Sequence, residues 1–133
     1  MADREALFAE YEGAIVSARD PQIDDDEQAW SDPALFSVLR QSRCAVVTAW
    51  NPGFLRPSQA VNDRRNAQLH ARLVLTGYEV WAAVGSSADA TFSEPGFLVW
   101  DISLDDAVLI ARSFDQFAIY WYSETGERTV IAC

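Results

Sequence analysis

Six polar side chains of the types that bind ligands or move protons lie in four separate stretches of the chain: Asn51, Arg64, Arg65, Asn66, Glu94 and Gln116. Amide and guanidinium groups hold polar or anionic ligands, whereas a carboxyl group can also exchange a proton with a substrate. Glu94 is therefore the candidate catalytic acid or base, and the other five are candidate ligand-binding residues. Only the fold can bring such distant stretches together.

The hydrophobic pattern from residue 44 onward predicts seven elements. In chain order they are a buried strand (44–50), a helix (58–76), a strand (78–84), a strand (97–102), a helix that begins after Ser103, a strand (117–122) and a returning strand (129–133). Residues 85–95 are expected to form a loop of small residues. This order is typical of the split βαβ, or ferredoxin-like, arrangement. We predict an α+β fold, a two-layer sandwich with a βαββαβ core and an extra C-terminal strand.

That topology gathers the candidate residues at one rim of the sheet. The first and third strands would be central and antiparallel, so the first strand ends where the third and fourth begin. Asn51, Glu94 and Gln116 occupy those positions, and the helix that carries residues 64–66 begins there too. Ligand sites commonly form where several elements end together.

The N-terminal part of the chain is expected to be a helical extension. Residues 3–18 suit one helical stripe, although Gly13 also allows a short helix followed by an extended piece. An acidic link at 20–27 follows, and Ser31 or Asp32 can cap a short helix that begins at Pro33. We expect residues 1–43 to pack as this extension on a core of residues 44–133, within a single compact domain.

Charge narrows the classes of function. The 133 residues carry 20 acidic side chains and ten Arg but no Lys, and residues 1–32 alone hold ten acids and two Arg. Direct binding to nucleic acid or anionic membranes is disfavoured because it depends on Lys and Arg. No apolar signal core or 18-residue apolar span is present, so a cytoplasmic location is expected. Cys44, Cys133 and His70 make no metal signature, and no cofactor is predicted.

Each candidate also has a structural explanation, which for Gln116 is capping of the preceding helix. Asn51-Pro52-Gly53 is a common strand-ending turn, and Glu94 could pair with Arg64 or Arg65. Asn62, Asn66, Leu69 and Leu73 share one stripe of their helix, so Asn66 is expected to be buried. A buried amide needs a hydrogen-bond partner, which is either the protein backbone or a ligand.

Several motifs together resemble a bacterial family known as domain of unknown function 3293. They are AWNP at 49–52, Arg65-Asn66 with Leu69 and Leu73, Gly77, EPGFLVW at 94–100 and ARSFDQFAIYW at 111–121. The family pattern carries Ser where this chain has Gly96, and Gly-Gln-Asn in place of residues 115–117. The resemblance implies a shared site at this rim but no reaction, substrate or cofactor.

Two hypotheses of different classes follow. In the first, the rim holds a small polar ligand, anionic or nucleotide-like, and Glu94 acts as acid or base if there is a reaction. In the second, the acidic residues 1–32 dock on a basic protein or on a nucleic-acid-binding partner. The chain is expected to be a monomer, or a homodimer formed through an exposed edge of the second core strand.

Overall fold

Strand-forming and helix-forming segments alternate along the chain in the computed structural model, which describes residues 4–52, 55–89, 91 and 93–133. The helices are α1 Arg4–Gly13, α2 Asp26–Ala29, α3 Pro33–Arg40, α4 Gln59–Leu75 and α5 Leu104–Ser113. The strands are β1 Ile15–Arg19, β2 Trp30–Ser31, β3 Cys44–Val47, β4 Val80–Ser86, β5 Ser93–Trp100, β6 Ala118–Tyr122 and β7 Arg128–Ala132. Within the described residues, no helix is both long and apolar enough to cross a membrane.

All described strands join one antiparallel sheet in the order β2-β1-β4-β5-β3-β6-β7. The mixture of helices with this sheet confirms the predicted α+β class. Strands β5 and β3 are neighbours near the centre, and every residue of β3 is buried, as its continuous apolar sequence predicts. Strand β7 pairs back on β6, as predicted for the extra C-terminal strand.

The expected free edge at the second core strand is wrong. That strand is β4, and β1 pairs with it from Ile15↔Ser86 to Ala18↔Ala83. The N-terminal segment thus contributes two strands to the sheet as well as helices. Gly13 ends α1 and an extended piece follows, which is the second of the two alternatives that the sequence allows.

Helices pack on both faces of the sheet, whereas the predicted two-layer sandwich has helices on one face only. On that face α4 and α5 bury Leu69, Leu73 and Ile110 against β3, β5 and β6. On the other face α3 and α1 pack Phe36 and Tyr11 against a second apolar cluster. The sheet is therefore buried from two sides over much of its area.

Local capping signals in the sequence are confirmed. The Asp32 carboxylate accepts a hydrogen bond from the Ala34 amide, with Pro33 in the first turn of α3. Ser103 caps α5 by accepting from the Asp106 amide. These bonds satisfy amide groups that have no partner within the helix.

The predicted loop at 85–95 is shorter than expected. Residues 85–86 extend β4 and residues 93–95 begin β5, with Gly85 opposite Glu94. Ala90 and Phe92 of that stretch lie outside the described residues, as does Gly53 of the predicted turn. Glu94 is therefore a strand residue, and the alternation of the strand fixes the face of the sheet that its side chain occupies.

Candidate functional site

Asn66 is buried and joins α4 to the segment after β3 and to the start of β5. Its side-chain oxygen accepts a hydrogen bond from the Ala49 amide at 2.8 Å, and its nitrogen donates to the Pro95 carbonyl at 2.9 Å. The residue is only 7% exposed. The buried amide that the helical stripe predicts thus has the protein backbone as its partner.

Arg65 and Gln116 also bond to backbone carbonyl groups. Arg65 Nε donates to Ala49 at 3.0 Å and its Nη2 to Phe114, and Gln116 Nε2 donates to Trp50 at 3.2 Å. Together they join the end of α5 to the segment after β3. Because these carbonyl groups would otherwise lack partners, both side chains position the backbone around the rim.

Arg64 is exposed on α4, and the described part of the chain offers it no hydrogen bond or ion pair. The Arg64 side chain is therefore not brought together with the other candidates.

Glu94 and Asn51 lie together at the start of β5. Asn51 Nδ2 donates a hydrogen bond to Glu94 Oε1 at 3.2 Å, and this is the one hydrogen bond to the Glu94 carboxyl group among the described residues. Side chains alternate between the two faces along a strand, so Glu94 lies on the same face as Gly96 and Leu98. This face is opposite to α4 and α5. Five of the six candidates thus form two groups, and Arg64 belongs to neither. The backbone clamp consists of Arg65, Asn66 and Gln116, and the carboxyl–amide pair consists of Glu94 and Asn51.

The orientation of Asn51 is fixed by Asn62, which the helical stripe also predicts to be buried. Asn62 Nδ2 donates to Asn51 Oδ1 at 2.8 Å, and the Asn51 backbone amide donates to Asn62 Oδ1 at 2.9 Å. Asn51 has a φ of 47°, a left-handed conformation that Asn tolerates better than most residues. Because its oxygen is taken by Asn62, its nitrogen is the group presented to Glu94.

A cavity of about 610 Å³ lies beside this pair, between α1 and the sheet. We call it the α1 cavity. Side-chain size explains why it exists. On this face of the sheet, the side chains become smaller along β5 from Trp100 through Leu98 to Gly96, and along β6 from Tyr122 to Ala118. Large residues fill one end of this face, and small residues leave space at the other.

Carboxyl, amide and hydroxyl groups share the lining of the α1 cavity with apolar atoms. Glu94, Asn51 and Thr48 lie along the sheet, while the Tyr11 and Tyr120 rings pack 5.6 Å apart. Neither tyrosine hydroxyl has a hydrogen-bond partner within the described residues. Both are therefore donors that a bound molecule can use.

Burial governs the protonation of these groups. It raises the pKa of Glu94 above its usual range, although the Asn51 hydrogen bond and the positive charge of Arg56 act in the opposite direction. Burial also raises the pKa of Tyr11, and the nearby Glu94 charge adds to this effect. The pKa of Tyr120 rises to about 12, again chiefly through burial. Both phenols remain neutral near pH 7.

Arg128 anchors the C-terminal end of α1 over the cavity. Its guanidinium donates to the Ala14 carbonyl at 2.8 Å and to the Glu12 carbonyl at 2.6 Å. The last carbonyl groups of a helix lack partners within it and carry partial negative charge, so a guanidinium is well suited to this position.

Arg128→Gln is expected to loosen α1, because both charge-assisted hydrogen bonds are lost. We expect backbone amides of α1 to exchange hydrogen about tenfold faster or more, in line with about 1.5–3 kcal/mol for hydrogen bonds to charged groups. Arg112→Gln, at an exposed position of α5, is the control. Unchanged exchange rates in α1 would show that Arg128 does not hold the helix.

Several acidic residues of the N-terminal part serve local structure. Asp25 caps α2, Asp26 pairs with Arg19 at 3.1 Å, and Asp20 accepts a hydrogen bond from the Gln22 amide. These contacts within the chain account for part of the acidic run, so no binding partner is needed to explain those residues. Docking of residues 1–32 on a basic protein stays a prediction.

Comparison with known proteins finds a family match for the segment that carries the carboxyl–amide pair. Residues 47–119, more than half of the chain, match a family described as protein of unknown function (DUF3293). The chain belongs to this family. The matched segment contains Asn51, Asn62, Asn66 and Glu94, whereas α1 lies outside it. No curated protein and no solved structure matches the chain.

Sequence reasoning missed the hydroxyl groups of the cavity. Tyr11 has the spacing of an apolar helix stripe, and Tyr120 that of a strand core, so neither pattern distinguishes a lining residue from a packed one. Within the described residues, no group of three or more His, Cys, Asp or Glu side chains is placed to hold a metal ion.

Proposed function

We propose that the protein binds a small, largely apolar and uncharged molecule in the α1 cavity. The observation that carries this proposal is a cavity of about 610 Å³ with one half-buried carboxyl group, Glu94, on its wall. Pockets that hold small molecules are typically apolar with a few polar groups that orient the ligand. Glu94 and the hydroxyl groups of Tyr11 and Tyr120 supply those polar groups.

The charges around the cavity favour an uncharged ligand over an anion. Three carboxylates, Glu94, Glu10 and Asp89, line it, and Arg56 is the one basic side chain among the described lining residues. Arg56 is exposed, so solvent weakens its attraction. Arg64 and Arg65 do not line the cavity. The ligand is therefore proposed to be neutral, in contrast to the small polar ligand, anionic or nucleotide-like, that the sequence predicts.

Acetophenone and benzoate test this proposal because they share a ring and a carbonyl group but differ in charge. We expect acetophenone to shift the backbone amide NMR signals of Thr48, Gly85 and Gly96, and to bind at least about tenfold more tightly than benzoate. In Glu94→Gln the difference in affinity between acetophenone and benzoate should become smaller. The negative charge that repels benzoate is removed, while the amide oxygen still accepts a hydrogen bond from Asn51.

Glu124→Gln is the matched control, since it removes the same charge from an exposed turn far from the cavity lining. It should keep the wild-type preference for acetophenone. If acetophenone shifts no cavity signals in the wild-type protein, the binding proposal fails. If benzoate binds the wild-type protein as tightly as acetophenone, the charge argument fails.

We further propose that residues 44–122 form a ferredoxin-like core and that residues 1–43 complete the same domain. The order β4-β5-β3-β6, with α4 and α5 on one face, supports the first part. The pairing of β1 with β4 supports the second, because it makes the N-terminal segment part of the sheet. The clamp residues Arg65, Asn66 and Gln116 would then hold the rim on which Glu94 is placed.

A further inference from the structure

We propose that the α1 cavity catalyses proton transfer at a carbon next to a carbonyl group, with Glu94 as the base and Tyr11 as the hydrogen-bond donor to the carbonyl oxygen. This inference rests on the proposed binding function and names its substrate class, a small apolar ketone or aldehyde. It also distinguishes the two tyrosine hydroxyl groups, which the binding proposal leaves interchangeable, by making Tyr11 the donor.

The geometry at Glu94 suits a base. Asn51 donates to Oε1 and is itself held by Asn62, so the carboxyl group is fixed in orientation. Oε2 has no hydrogen bond among the described residues, and the carboxyl group lines the cavity. A carboxylate with little solvation accepts a proton more readily than one in water, and its raised pKa follows from the same burial.

The donors complement this base. Removal of a proton beside a carbonyl group places negative charge on the carbonyl oxygen, which needs a hydrogen-bond donor where little water is present. Tyr11 on α1 and Tyr120 on β6 supply neutral phenol groups to the same cavity as Glu94. Because Glu94 and Tyr11 line the same cavity, one bound molecule can contact both the acceptor and the donor.

The step balances without a co-reactant. Glu94 Oε2 takes the proton from the carbon, the C–H electron pair becomes the new C=C bond, and the carbonyl π pair moves to oxygen, where Tyr11 donates a hydrogen bond. Glu94 then returns a proton to the same carbon or to a neighbouring carbon of the conjugated system. The net result is exchange, racemisation or isomerisation, and nothing is oxidised or reduced.

Acetophenone in D₂O tests the inference, because each enolisation replaces a methyl proton by deuterium. Loss of the methyl proton NMR signal should be on the order of a hundredfold faster with the wild-type protein than in buffer alone. Glu94→Gln should return the rate to that of buffer, and Tyr11→Phe should lower it at least about tenfold. Glu124→Gln and Tyr78→Phe, whose hydroxyl bonds Asp106 outside the cavity, should keep the wild-type rate.

The pH profile separates a base from a structural carboxyl group. Only ionised Glu94 removes a proton, so the exchange rate should rise as pH increases through a pKa above the usual range of Glu, and then level off. Among the described lining residues, the charged or titratable groups that face Glu94 across the cavity are Glu10, Tyr11, Arg56, Asp89 and Tyr120. The profile should lose this rise in Glu94→Gln.

The outcomes distinguish the two proposals. If acetophenone shifts the cavity signals but exchanges no faster than in buffer, the binding function stands and the catalytic inference is overturned. The same holds if Glu94→Gln keeps the wild-type exchange rate. If acetophenone does not bind at all, both proposals fall together.

Discussion

Asn66→Ala is expected to lower the free energy of unfolding by about 3 kcal/mol, because it leaves the Ala49 amide and the Pro95 carbonyl without their Asn66 partner. Thr48 Oγ1 also donates to the Pro95 carbonyl, so the amide of Ala49 carries most of the expected loss. Chemical denaturation measures the change directly, and the melting temperature should fall by roughly 10 °C for a domain of this size.

Gln68→Ala, two residues further along α4, is the matched control. Gln68 is exposed, and its replacement should change stability by less than about 0.5 kcal/mol. Alanine forms helices more readily than asparagine, so a loss in Asn66→Ala cannot come from helix propensity. If the two variants are equally stable, Asn66 does not hold the strand ends together.

Gly96→Ala is expected to destabilise the protein by about 2 kcal/mol or more, because the new methyl group meets the backbone of β3. A Cβ at this position would lie 2.5 Å from the Val47 carbonyl oxygen and 3.0 Å from Thr48 Cβ. The two central strands would have to separate locally, which disturbs their register at Val47↔Phe97. Denaturant unfolding of the purified variant gives the loss.

Gly85→Ala provides a close comparison, since Gly85 also lies in a strand and lines the α1 cavity. Nothing lies within 4 Å of a Cβ at Gly85, so the alanine variant should match or slightly exceed the wild-type stability. If Gly85→Ala and Gly96→Ala lose the same stability, the cause is a general requirement for glycine in these strands and not the close approach of β5 to β3.

The strands with the strongest hydrophobic pattern could be predicted from the sequence, and their ends could not. The first strand is predicted to reach residue 50, but β3 ends at Val47, after which Thr48 accepts from the Trp50 amide and donates to Pro95. Strands β1 and β2 are short and flank an acidic run, so their pairing with β4 depends on contacts between distant residues. Hydrophobic periodicity contains no information about such contacts.

The candidate site shows the same division. The sequence predicts that Asn51 and Glu94 lie close together, and their side chains are hydrogen-bonded although 43 residues separate them. The sequence could not reveal that Glu94 faces the opposite side of the sheet from Asn66, because one residue of difference in strand register reverses the face. The cavity itself depends on the absence of side-chain volume at Gly96 and Ala118, which a search for polar residues does not detect.

The cover of the α1 cavity lies outside the segment that matches the family, whereas Glu94 and Asn51 lie inside it. Under the two proposals, the helix that shapes the ligand space and the carboxyl group that takes the proton therefore lie in different parts of the chain. A chimera that grafts a different first helix before β1 would keep the carboxylate and accept molecules of another shape. Under the proposed chemistry, a graft without the phenol at position 11 would still bind its ligand but would lose most of the proton transfer.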